Sequence, residues 1–579
     1  VPSGGDYPKP PPLAERDAAI RQTIRLLETN RIVALKGLGG FHLACRADSE
    51  QAVKNLRERK YRKAKSFALM AKDIDAARRI VDIDKAASEL LTSPESPIVL
   101  CPKRDDAPIA AAVAPASRFF GVMLPYTPLH ALLMHGEYPA LVMTSGNVTD
   151  RPIEHENDEA VDRLTGIADA ILLHDRRIHT PCDDSVVKIV GDAPMIVRRA
   201  RGYVPRPIAL NRQSAGDILA VGAELKNTVT VVTGNEAVVS QHIGDLSDAD
   251  TEEHFRRTIE KLAALLGARP VAVACDLHPA MRSTRYAESY RGARLVRVQH
   301  HHAHIAAVMG EYELDGPVAG LATDGVGYGP DDTVWGCEAL VCTRTHYARV
   351  GHLAPLPMPG GDAASREPWR MAIAALVEAF GESEGILKGV KLLRSIEAER
   401  IDTVAAMIRS GLNTPRTSSL GRLFDAVSAL CGICVKNTYE AQAAIELEHA
   451  VDAPTVEGYP VETICASRTD PLVLDPRSMI RRLAADLEYG MPLGRVAAHF
   501  HAWAINGLAA LARRAADSAG TNVIALAGGV LQNDIVLTGL VDMLELEGYR
   551  VVFNRELPPG DGAISFGQAV VADAVLGSD

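Results

Sequence analysis

Residues 295–304 read Leu-Val-Arg-Val-Gln-His-His-His-Ala-His, a mainly apolar strand that runs directly into four histidines. His300 and His304 stand at positions i and i+4, so a helix that begins here places both imidazoles on one face, one turn apart. Two imidazoles in this arrangement can bind one metal ion. A network of neutral imidazoles without a metal is the alternative. The stretch therefore predicts a strand–helix junction that carries a metal site.

Two histidines need further ligands, and two glycine-rich turns each carry a suitable carboxylate. Asp324 lies in TDGVGYG (323–329), and Asp561 lies in PPGDG (558–562). An Asx turn is the alternative explanation of each aspartate, because Asp and Gly favour turns in any case. Two histidines and two aspartates with open coordination positions suit Zn²⁺ or Fe²⁺, and the sequence does not decide between these metals.

The segments on both sides of the histidines have an α/β pattern that partly repeats. Three closely spaced strands are predicted at Ile218–Val221, Val229–Val232 and Ala237–Gln241. A later strand at Val318–Thr323 is predicted to end in a Gly/Asp turn, and another at Val523–Ala527 to end at two glycines. This is the pattern of a duplicated actin/sugar-kinase-like nucleotide fold. Segments 221–228 and 527–533 have glycine-containing turns that could contact phosphates.

A different pattern precedes a predicted boundary at Pro205–Gly216. A strand at Arg31–Lys36 runs into the glycine-rich turn 37–40, and a strand at Leu141–Thr144 ends at Ser-Gly-Asn, residues 145–147. Polar groups at the carboxyl ends of strands are where α/β sheets bind ligands. Six cations crowd into RERKYRKAK (57–65), which is either a solvated helix end or a polyphosphate site. Its neighbours favour the polyphosphate site.

Composition limits the class of protein. Of 579 residues, 47% are hydrophobic and 23% are charged, which is ordinary for a globular protein. The net charge of −11 disfavours a general nucleic-acid binder. The sequence shows neither a membrane span nor a secretion signal, and its nine scattered cysteines suit reduced thiols, so we expect a cytoplasmic protein. Cys431 and Cys434 form one CxxC within an apolar stretch predicted as helical, Leu423–Val435, and core packing is favoured over metal binding.

At Lys60-Tyr61-Arg62 and Ser145-x-Asn147 the sequence resembles the K-x-R and S-x-N signature of the YrdC family of carbamoyl-adenylate-forming domains. The run RRARGYVP (198–205) is similar to the end of that domain in HypF-type proteins. The resemblance implies that a nucleotide and a carbamate-type substrate share one cavity lined with basic and polar groups. The residues implied to hold the phosphates or act in catalysis are Lys36, Lys60, Arg62, Lys65, Ser145 and Asn147.

Motifs over nearly the whole chain resemble those of the HypF family of hydrogenase-maturation carbamoyltransferases, in family order. They are SQHIGDL (240–246), VQHHHAH (298–304), TDGVGYGPDDTVWGCE (323–338), PGGDAASREPWRMA (359–372), GRLFDAVSAL (421–430), TYEAQAAIELE (438–448), GGVLQN (528–533) and GDGAISFGQA (560–569).

This resemblance implies an α/β fold with three segments. They are a flexible lead-in at 1–12, a YrdC-like domain at 13–207, and a duplicated actin/sugar-kinase-like (ASKHA) domain at 208–579, similar to TsaD. The implied metal ligands are His300, His304, Asp324 and Asp561. The implied nucleotide contacts are Gly222, Asn227, Gly421, Asp425, Gly528, Gly529 and Asn533.

The function implied by the resemblance is ATP-dependent carbamoyl transfer. Carbamate derived from carbamoyl phosphate reacts with ATP and Mg²⁺ to give carbamoyl-adenylate and pyrophosphate. A domain that holds Zn²⁺ or Fe²⁺ then transfers the carbamoyl group to the C-terminal cysteine of a HypE-like protein. No membrane partner is expected, and nucleic acid is a disfavoured partner. Alternatives are O-carbamoylation of a small molecule, threonylcarbamoylation of tRNA, and a metal-dependent ATP-binding scaffold without enzymatic activity.

Two features depart from the family pattern. The acylphosphatase and zinc-finger regions of HypF proteins are not in this sequence, and the resemblance places part of carbamate release in the acylphosphatase. Ala441 also stands where the family motif YEGQ has a glycine. The added methyl group is expected either to be tolerated or to tighten the nucleotide cleft.

Overall fold

The computed structural model describes residues 12–148, 151–455, 457–467 and 469–578. All of the predicted lead-in except Pro12 lies outside the described residues. The chain divides into two compact units. The first includes the described residues up to Pro115 together with Phe119–Asp184, and the second includes Ala116–Arg118 and the chain from Ser185 onward. The predicted domain boundary after residue 207 stays a prediction. No helix in the described ranges combines the length and apolar character needed to cross a bilayer.

The first unit is built from strands and short helices. Its helices are α1 (Arg16–Glu28), α2 (Glu50–Arg59), α3 (Ile74–Arg78), α4 (Lys85–Leu91), α5 (Pro128–Leu133) and α6 (Asn157–Leu164). Its strands are β1 (Val33–Lys36), β2 (Phe41–Arg46), β3 (Ala68–Ala71), β4 (Ile98–Pro102), β5 (Phe119–Met123), β6 (Ala140–Ser145) and β7 (Ala170–Leu172). These strands are adjacent in the order β7-β1-β2-β6-β3-β5-β4. Strand β1 is buried on both faces, which explains the apolar run of residues 33–35 before Lys36.

The second unit holds the remaining strands. They are β8 (Val186–Val190), β9 (Ala193–Arg198), β10 (Ile208–Ala209), β11 (Ile218–Ala220), β12 (Thr230–Thr233), β13 (Glu236–Val239), β14 (Ala272–Asp276), β15 (Arg294–Val298), β16 (Val318–Tyr328), β17 (Val334–Cys342), β18 (Tyr347–Leu353), β19 (Leu356–Pro357), β20 (Arg416–Thr417), β21 (Glu462–Ile464), β22 (Leu472–Asp475), β23 (Val523–Ala527) and β24 (Arg550–Phe553).

Helices of the second unit surround these strands in sequence. They are α7 (Ala249–Leu266), α8 (Arg282–Ser289), α9 (His300–Glu311), α10 (Asp362–Arg366), α11 (Pro368–Phe380), α12 (Glu382–Leu392), α13 (Ala398–Ser410), α14 (Leu420–Leu430), α15 (Gln442–His449), α16 (Arg477–Glu488), α17 (Leu493–Ala519), α18 (Asp534–Leu546) and α19 (Ile564–Leu576). The helices α11, α14, α16 and α17 contribute most of the largest hydrophobic core.

The second unit contains one sheet topology twice. In the first sheet, β11, β12 and β13 form an antiparallel meander, and β14 and β15 extend it in parallel on the other side of β11. In the second sheet, β16, β17 and β18 form the meander, and β23 and β24 extend it in parallel beside β16. Both sheets therefore contain the strand order third, second, first, fourth, fifth. This repeat confirms the predicted duplicated α/β fold.

Helices α9 and α19 follow the last parallel strand of each repeat and pack closely together. A Cβ atom added at Gly567 would lie 1.8 Å from the backbone oxygen of Ala303. One added at Gly310 would lie 2.6 Å from Cγ2 of Val570. Because only glycine has no Cβ, these two positions permit the close approach of the helices. The contact fixes the position of α9, which carries the four histidines.

Two predicted element boundaries are wrong. The strand expected to end in a turn after Thr323 continues to Tyr328, with a register shift between Thr323 and Gly327. A bulge of this kind interrupts the strand pattern without ending the strand. The helix expected over Leu423–Val435 ends at Leu430, so Cys434 lies beyond it. Both cysteines of the CxxC pair are buried free thiols, as expected of core residues.

Candidate functional site

The histidine helix begins where the sequence predicted. Gln299 is the N-cap of α9, and its Oε1 accepts a hydrogen bond from the backbone N–H of His302. This cap satisfies one of the amide groups left without a partner at the start of a helix. His300 and His304 follow on the same helical face, and both are buried.

Four side chains converge at the start of α9. His300, His304, Asp324 and Asp561 each offer a ligand atom, and these four atoms lie within 4.8 Å of one another. Nε2 of His300 lies 3.4 Å from Oδ2 of Asp324 and 3.8 Å from Oδ1 of Asp561. Nε2 of His304 lies 3.7 Å from Oδ2 of Asp324 and 3.8 Å from Oδ1 of Asp561.

These spacings fit one small divalent cation. Ligand atoms bound at about 2.0–2.2 Å to a tetrahedral ion lie about 3.3–3.6 Å apart. Nε2 of His300 and both ring nitrogens of His304 are buried and have no hydrogen-bond partner among the described residues. Buried polar atoms without partners are costly, so a ligand at this position would satisfy them. The donor set of two imidazoles and two carboxylates suits Zn²⁺ or Fe²⁺.

Neighbouring backbone groups orient the two aspartates. The backbone N–H of Gly529 donates to Oδ1 of Asp324 at 3.2 Å, which leaves Oδ2 directed towards the histidines. The backbone N–H of Gly528 donates to the carbonyl oxygen of Pro559 at 2.7 Å, two residues before Asp561. The turn after β23 therefore contacts both segments that supply carboxylates.

Asp276 belongs to this site and was missed in the sequence. It ends the buried strand β14, is fully buried itself, and its Oδ2 lies 2.8 Å from Nδ1 of His300. Its Oδ1 accepts from the backbone N–H of His278 at 3.0 Å. A carboxylate on Nδ1 fixes the tautomer that leaves Nε2 available to a metal. The available signal was an acidic residue that ends an otherwise apolar strand, VAVACD.

Charges in the cluster shift the pKa values of its members. Burial by itself would lower the pKa of His300, but the carboxylates of Asp276, Asp324 and Asp561 together raise this pKa well above its ordinary value. Burial would raise the pKa of Asp324, yet its contacts with His300 and His304 hold it well below the usual range. A metal ion binds neutral imidazoles and ionised carboxylates, so its binding at this site is coupled to pH.

The other two histidines of the run have different environments. Nδ1 of His301 lies 3.2 Å from Nε2 of Gln299, and burial lowers the pKa of His301 well below its ordinary value. Nε2 of His302 lies 2.8 Å from the carbonyl oxygen of Thr343. Neither side chain is part of the four-residue ligand cluster. Of the four histidines, therefore, only the two at positions i and i+4 belong to the ligand cluster, and the other two contact neighbouring protein groups.

Turns predicted to contact a nucleotide have constrained backbones. Gly222 has φ +72°, and a Cβ there would lie 2.3 Å from the carbonyl oxygen of Thr228. Nδ2 of Asn227 donates to the carbonyl oxygens of Val221 and Ala223 at 2.9 and 2.5 Å, so its side chain braces this turn. Its Oδ1 is buried without a hydrogen-bond partner among the described residues.

The turn after β23 shows the same need for glycine. Gly528 has φ +106°, and a Cβ there would lie 2.0 Å from the carbonyl oxygen of Thr323. Asn533, four residues past Gly529, caps α18 by accepting from the backbone N–H of Val536 at 3.0 Å. Its Nδ2 lies 3.0 Å from Nε2 of His501. Both ends of the Asn533 amide are therefore engaged within the protein.

Asp425 is a buried carboxylate on α14. Oδ2 lies 2.7 Å from Nη1 of Arg422, but neither carboxylate oxygen has a hydrogen bond among the described residues. Burial raises the pKa of Asp425 to about 6, against the opposing charge of Arg422. Gly421 begins the same helix, and a Cβ there would lie 3.3 Å from Cα of Gly325. The strand β16 and helix α14 therefore approach each other beside Asp324.

Ala441 occupies a backbone conformation that favours glycine. It is the N-cap of α15 with φ +59° and ψ 16°, in the left-handed region. A Cβ in this region costs about 1 kcal/mol, which explains the glycine of the resembled motif. We expect Ala441→Gly to raise the free energy of unfolding by up to about 1 kcal/mol, partly offset by the greater chain entropy of glycine. Urea denaturation measures the free energy of unfolding. A less stable Ala441→Gly variant would contradict the proposal that Ala441 is strained.

The first unit gathers the YrdC-like candidates around one buried cation. Lys60 is 1% exposed, and its Nζ donates to the carbonyl oxygens of Ser145 and Asn147 at 2.8 and 2.6 Å and to Oδ1 of Asn147 at 2.6 Å. The hydroxyl of Ser145 donates to the same Oδ1 at 2.9 Å. Lys60 therefore organises the Ser-Gly-Asn turn directly.

The remaining candidates of the first unit differ in exposure. Lys36 is 3% exposed, its Nζ donates to the carbonyl oxygen of His174 at 3.2 Å, and burial lowers its pKa. Nε of Arg62 donates to the carbonyl oxygen of Lys65 at 3.1 Å, and the Lys65 side chain is exposed. Lys36 ends β1 and Ser145 ends β6, and both strands pair with β2. The topology thus brings these two strand ends to one region.

Three family models match the chain. A model described as "Telomere recombination", of the Sua5–YciO–YrdC group, matches residues 25–200. The "HypF Kae1-like domain" matches residues 213–311. A model described as "Carbamoyltransferase, Kae1-like Domain, second subdomain" matches residues 320–568. Their order along the chain agrees with the predicted order of a YrdC-like part and a duplicated TsaD-like part.

Curated relatives match over nearly all of the chain. Carbamoyltransferase HypF of Rhizobium leguminosarum bv. viciae is 42% identical over 569 residues, which covers 96% of this chain and 72% of that protein. Carbamoyltransferase HypF2 of Cupriavidus necator is 42% identical over 598 residues and is covered to 73%. The probable carbamoyltransferase HypF of Methanocaldococcus jannaschii is 36% identical over 563 residues.

Two solved structures have the same fold. Full-length HypF in a phosphate- and nucleotide-bound form is 38% identical, with a TM-score of 0.92 over 96% of this chain and 87% of that chain. HypF of T. kodakarensis is 32% identical, with a TM-score of 0.90 over 98% of this chain and 74% of that chain.

Proposed function

Because the chain belongs to the HypF family of carbamoyltransferases, we propose that it adenylates carbamate with ATP and transfers the carbamoyl group to a protein thiolate. The acceptor is the C-terminal cysteine of a HypE-like protein, in a step of hydrogenase maturation. The observation that carries the proposal is the cluster of two imidazoles and two carboxylates in the Kae1-like part, three of them buried and Asp561 partly exposed. The second supporting observation is a YrdC-like part that contains a cationic, glycine-rich turn region.

We assign adenylation to the predicted domain 13–207. A carbamate oxygen attacks the α-phosphorus of ATP, Mg²⁺ accompanies the nucleotide, and pyrophosphate leaves. The charge that the reaction places on the phosphates needs cations and hydrogen-bond donors more than an acid–base pair. Arg62, Lys65 and Lys36 provide charge, and the turn Ser145–Asn147, held by Lys60, provides a hydroxyl, an amide and backbone groups.

We assign transfer to the predicted domain 208–579. The sulfur of the acceptor thiolate attacks the carbamoyl carbon, the bond from that carbon to the AMP oxygen breaks, and AMP leaves with the bonding electrons. The buried Nε2 atoms of His300 and His304 and the carboxylates of Asp324 and Asp561 fit Zn²⁺ or Fe²⁺ and would hold it. When bound, such an ion supplies Lewis acidity towards a carbonyl oxygen. Asp276 keeps His300 in the tautomer that this requires.

Nucleotide binding in the second domain rests on its constrained turns. The glycines at 222, 528 and 529 permit close packing within these turns. Their backbone N–H groups donate to Gln568, Pro559 and Asp324, so the turns shape the nucleotide cleft rather than donate to phosphate oxygens. Gly421 allows the first turn of α14 to approach β16 closely, and Asp425 on the same helix supplies a carboxylate for the ribose hydroxyls. Asn227 and Asn533 act by bracing the two turns, because their side-chain amides already bond to the protein.

Mass spectrometry of the acceptor tests the proposed function. The protein is incubated with ATP, Mg²⁺ and HypE, and with either carbamoyl phosphate or ammonium carbamate, which bypasses the acylphosphatase step. We expect intact HypE to gain the mass of one carbamoyl group, and HypE without its C-terminal cysteine to gain none. An unchanged HypE together with carbamoylation of a small-molecule hydroxyl would overturn the assignment of the acceptor.

Replacing Asp276 tests the support of the metal ligands. We expect Asp276→Asn to weaken the binding of Zn²⁺ by about 10–100-fold, because the carboxylate that orients His300 loses its charge. Competition with a chromophoric chelator measures the affinity independently of catalysis. Glu288→Gln removes one exposed carboxylate that pairs with Arg297, so it is the charge-matched control and should bind as the wild type. Equal affinities of the Asp276 variant and the wild type would contradict the orienting role.

A further inference from the structure

A small cavity in the second unit lies outside both sites described above. Pro194, Ile196, Arg199, Tyr203, Arg206, Arg555 and Glu556 line it, and its volume is about 160 Å³. Three of these side chains come from the run RRARGYVP and its following residue, to which the proposed function assigns no role. The cavity is smaller than the roughly 300–1,000 Å³ typical of pockets for drug-sized ligands. It therefore suits a small ion or a single functional group.

Two arginines that line this cavity carry donor atoms without hydrogen-bond partners among the described residues. Arg199 is 3% exposed, and its two terminal nitrogens donate to the carbonyl oxygens of Val239 and Arg206 at 3.2 and 2.9 Å. Its Nε is buried and has no hydrogen-bond partner among the described residues. Nη1 of Arg555 is likewise buried without a partner in the described part of the chain. An unsatisfied buried donor costs about 1–3 kcal/mol, so an acceptor in the cavity would be stabilising.

The segment that carries Arg555 is held in place before any ligand binds. Glu311, the last residue of α9, accepts the backbone N–H groups of Arg555 and Glu556 at 2.5 and 2.6 Å. The Arg555 guanidinium lies over the ring of Phe553, 4.0 Å from its centroid. Both contacts restrict the arginine, so little conformational entropy remains to be lost when an anion binds.

The charges around the cavity define the class of ligand. Three arginines and one glutamate line it, so the lining has a positive formal charge, and Glu311 beside it adds a second carboxylate. Burial lowers the pKa of Arg199 to about 10, and the carboxylates of Glu556 and Glu311 partly offset this effect. Arginine forms its strongest hydrogen bonds with carboxylate and phosphate oxygens. An anion with several acceptor oxygens, such as phosphate, can therefore accept hydrogen bonds from both Arg199 and Arg555.

We propose that this cavity is a binding site for one phosphate-class anion, held by Arg199 and Arg555. The ligand is either free inorganic phosphate or the phosphoryl group of a larger molecule, since both present the same charge and oxygens. The inference does not depend on the adenylation or transfer steps, because no residue of either site lines the cavity.

Equilibrium dialysis against labelled inorganic phosphate tests the proposal. The full chain is stripped of metal with a chelator, and a non-hydrolysable ATP analogue occupies the nucleotide sites. We expect one phosphate to bind per chain. Sulfate should compete with phosphate for the site, and bicarbonate should not. If glycerol phosphate competes, the site binds the phosphoryl group of a larger molecule. If glycerol phosphate does not compete, the site binds free inorganic phosphate. Either result supports a phosphate-class site.

Variants locate the binding. We expect Arg555→Gln to weaken phosphate binding at least about tenfold, because one charge-assisted hydrogen bond is lost, and Arg555→Lys to restore part of it. Arg550→Gln removes an exposed cation at the start of β24, a short distance before Arg555 in the chain, and should bind as the wild type. Carbamoyl transfer should persist in Arg555→Gln. Wild-type affinity in Arg555→Gln, equal competition by bicarbonate, or a lack of binding at millimolar phosphate would each overturn the proposal.

Discussion

Replacing both His300 and His304 by alanine should reduce the metal content of the protein to background and abolish carbamoyl transfer. The two Nε2 atoms are buried without hydrogen bonds among the described residues, so the change removes half of the ligand set. It also leaves the buried carboxylate of Asp276 without its His300 partner. Loss of an outer partner typically costs 10–100-fold in metal affinity, so loss of two ligands should cost more than about 100-fold. Elemental analysis measures the metal, and the mass of the acceptor measures transfer.

Adenylation should survive this double substitution, because its candidate residues belong to the first unit. ATP–pyrophosphate exchange that depends on carbamate is therefore the internal control for the folding of the first unit. His302→Gln is the matched variant on the same helix, since glutamine can still contact the carbonyl oxygen of Thr343. Metal retained by the double variant would exclude these histidines as ligands. Loss of exchange together with transfer would show that the two activities do not separate between the units.

Lys60→Ala should abolish carbamate-dependent ATP–pyrophosphate exchange, with an expected loss of at least about 100-fold. The buried ammonium donates to three oxygens of the Ser145–Asn147 turn, so its removal leaves these acceptors unsatisfied and releases the turn. Loss of the charged hydrogen bonds should also lower the free energy of unfolding by about 3 kcal/mol. The exchange assay and urea denaturation measure the two effects.

Two variants separate the structural and electrostatic parts of this effect. Lys63→Ala removes an exposed cation from the same basic run and should retain exchange, since the Lys60 contacts stay intact. Lys60→Met keeps the length of the side chain without the charge, so it should lose exchange while losing less packing. Full exchange in a folded Lys60→Ala variant would exclude this residue from the adenylation site.

Local sequence motifs were sufficient to predict the four candidate metal ligands. The spacing of His300 and His304 depends only on helix geometry, and the turn residues Asp324 and Asp561 stood out by their glycine neighbours. Asp276 was not found, because its contact with His300 spans 24 positions of the sequence. That contact exists because β14 and β15 pair in parallel, so their carboxyl ends lie together. Strand pairing of this kind is not encoded in any local pattern.

The sequence by itself determined the fold class, the order of the two parts and the helix that carries the histidines, because periodicity, caps and glycine turns act over a few residues. Only the tertiary structure decided which polar side chains are buried and what they contact. Lys60 lies in a run of cations yet is buried under a turn 85 positions away. Arg199 and Arg555 lie far apart in the chain yet line one cavity. Burial and charge balance arise from packing between distant segments, which is why they appear only in the folded chain.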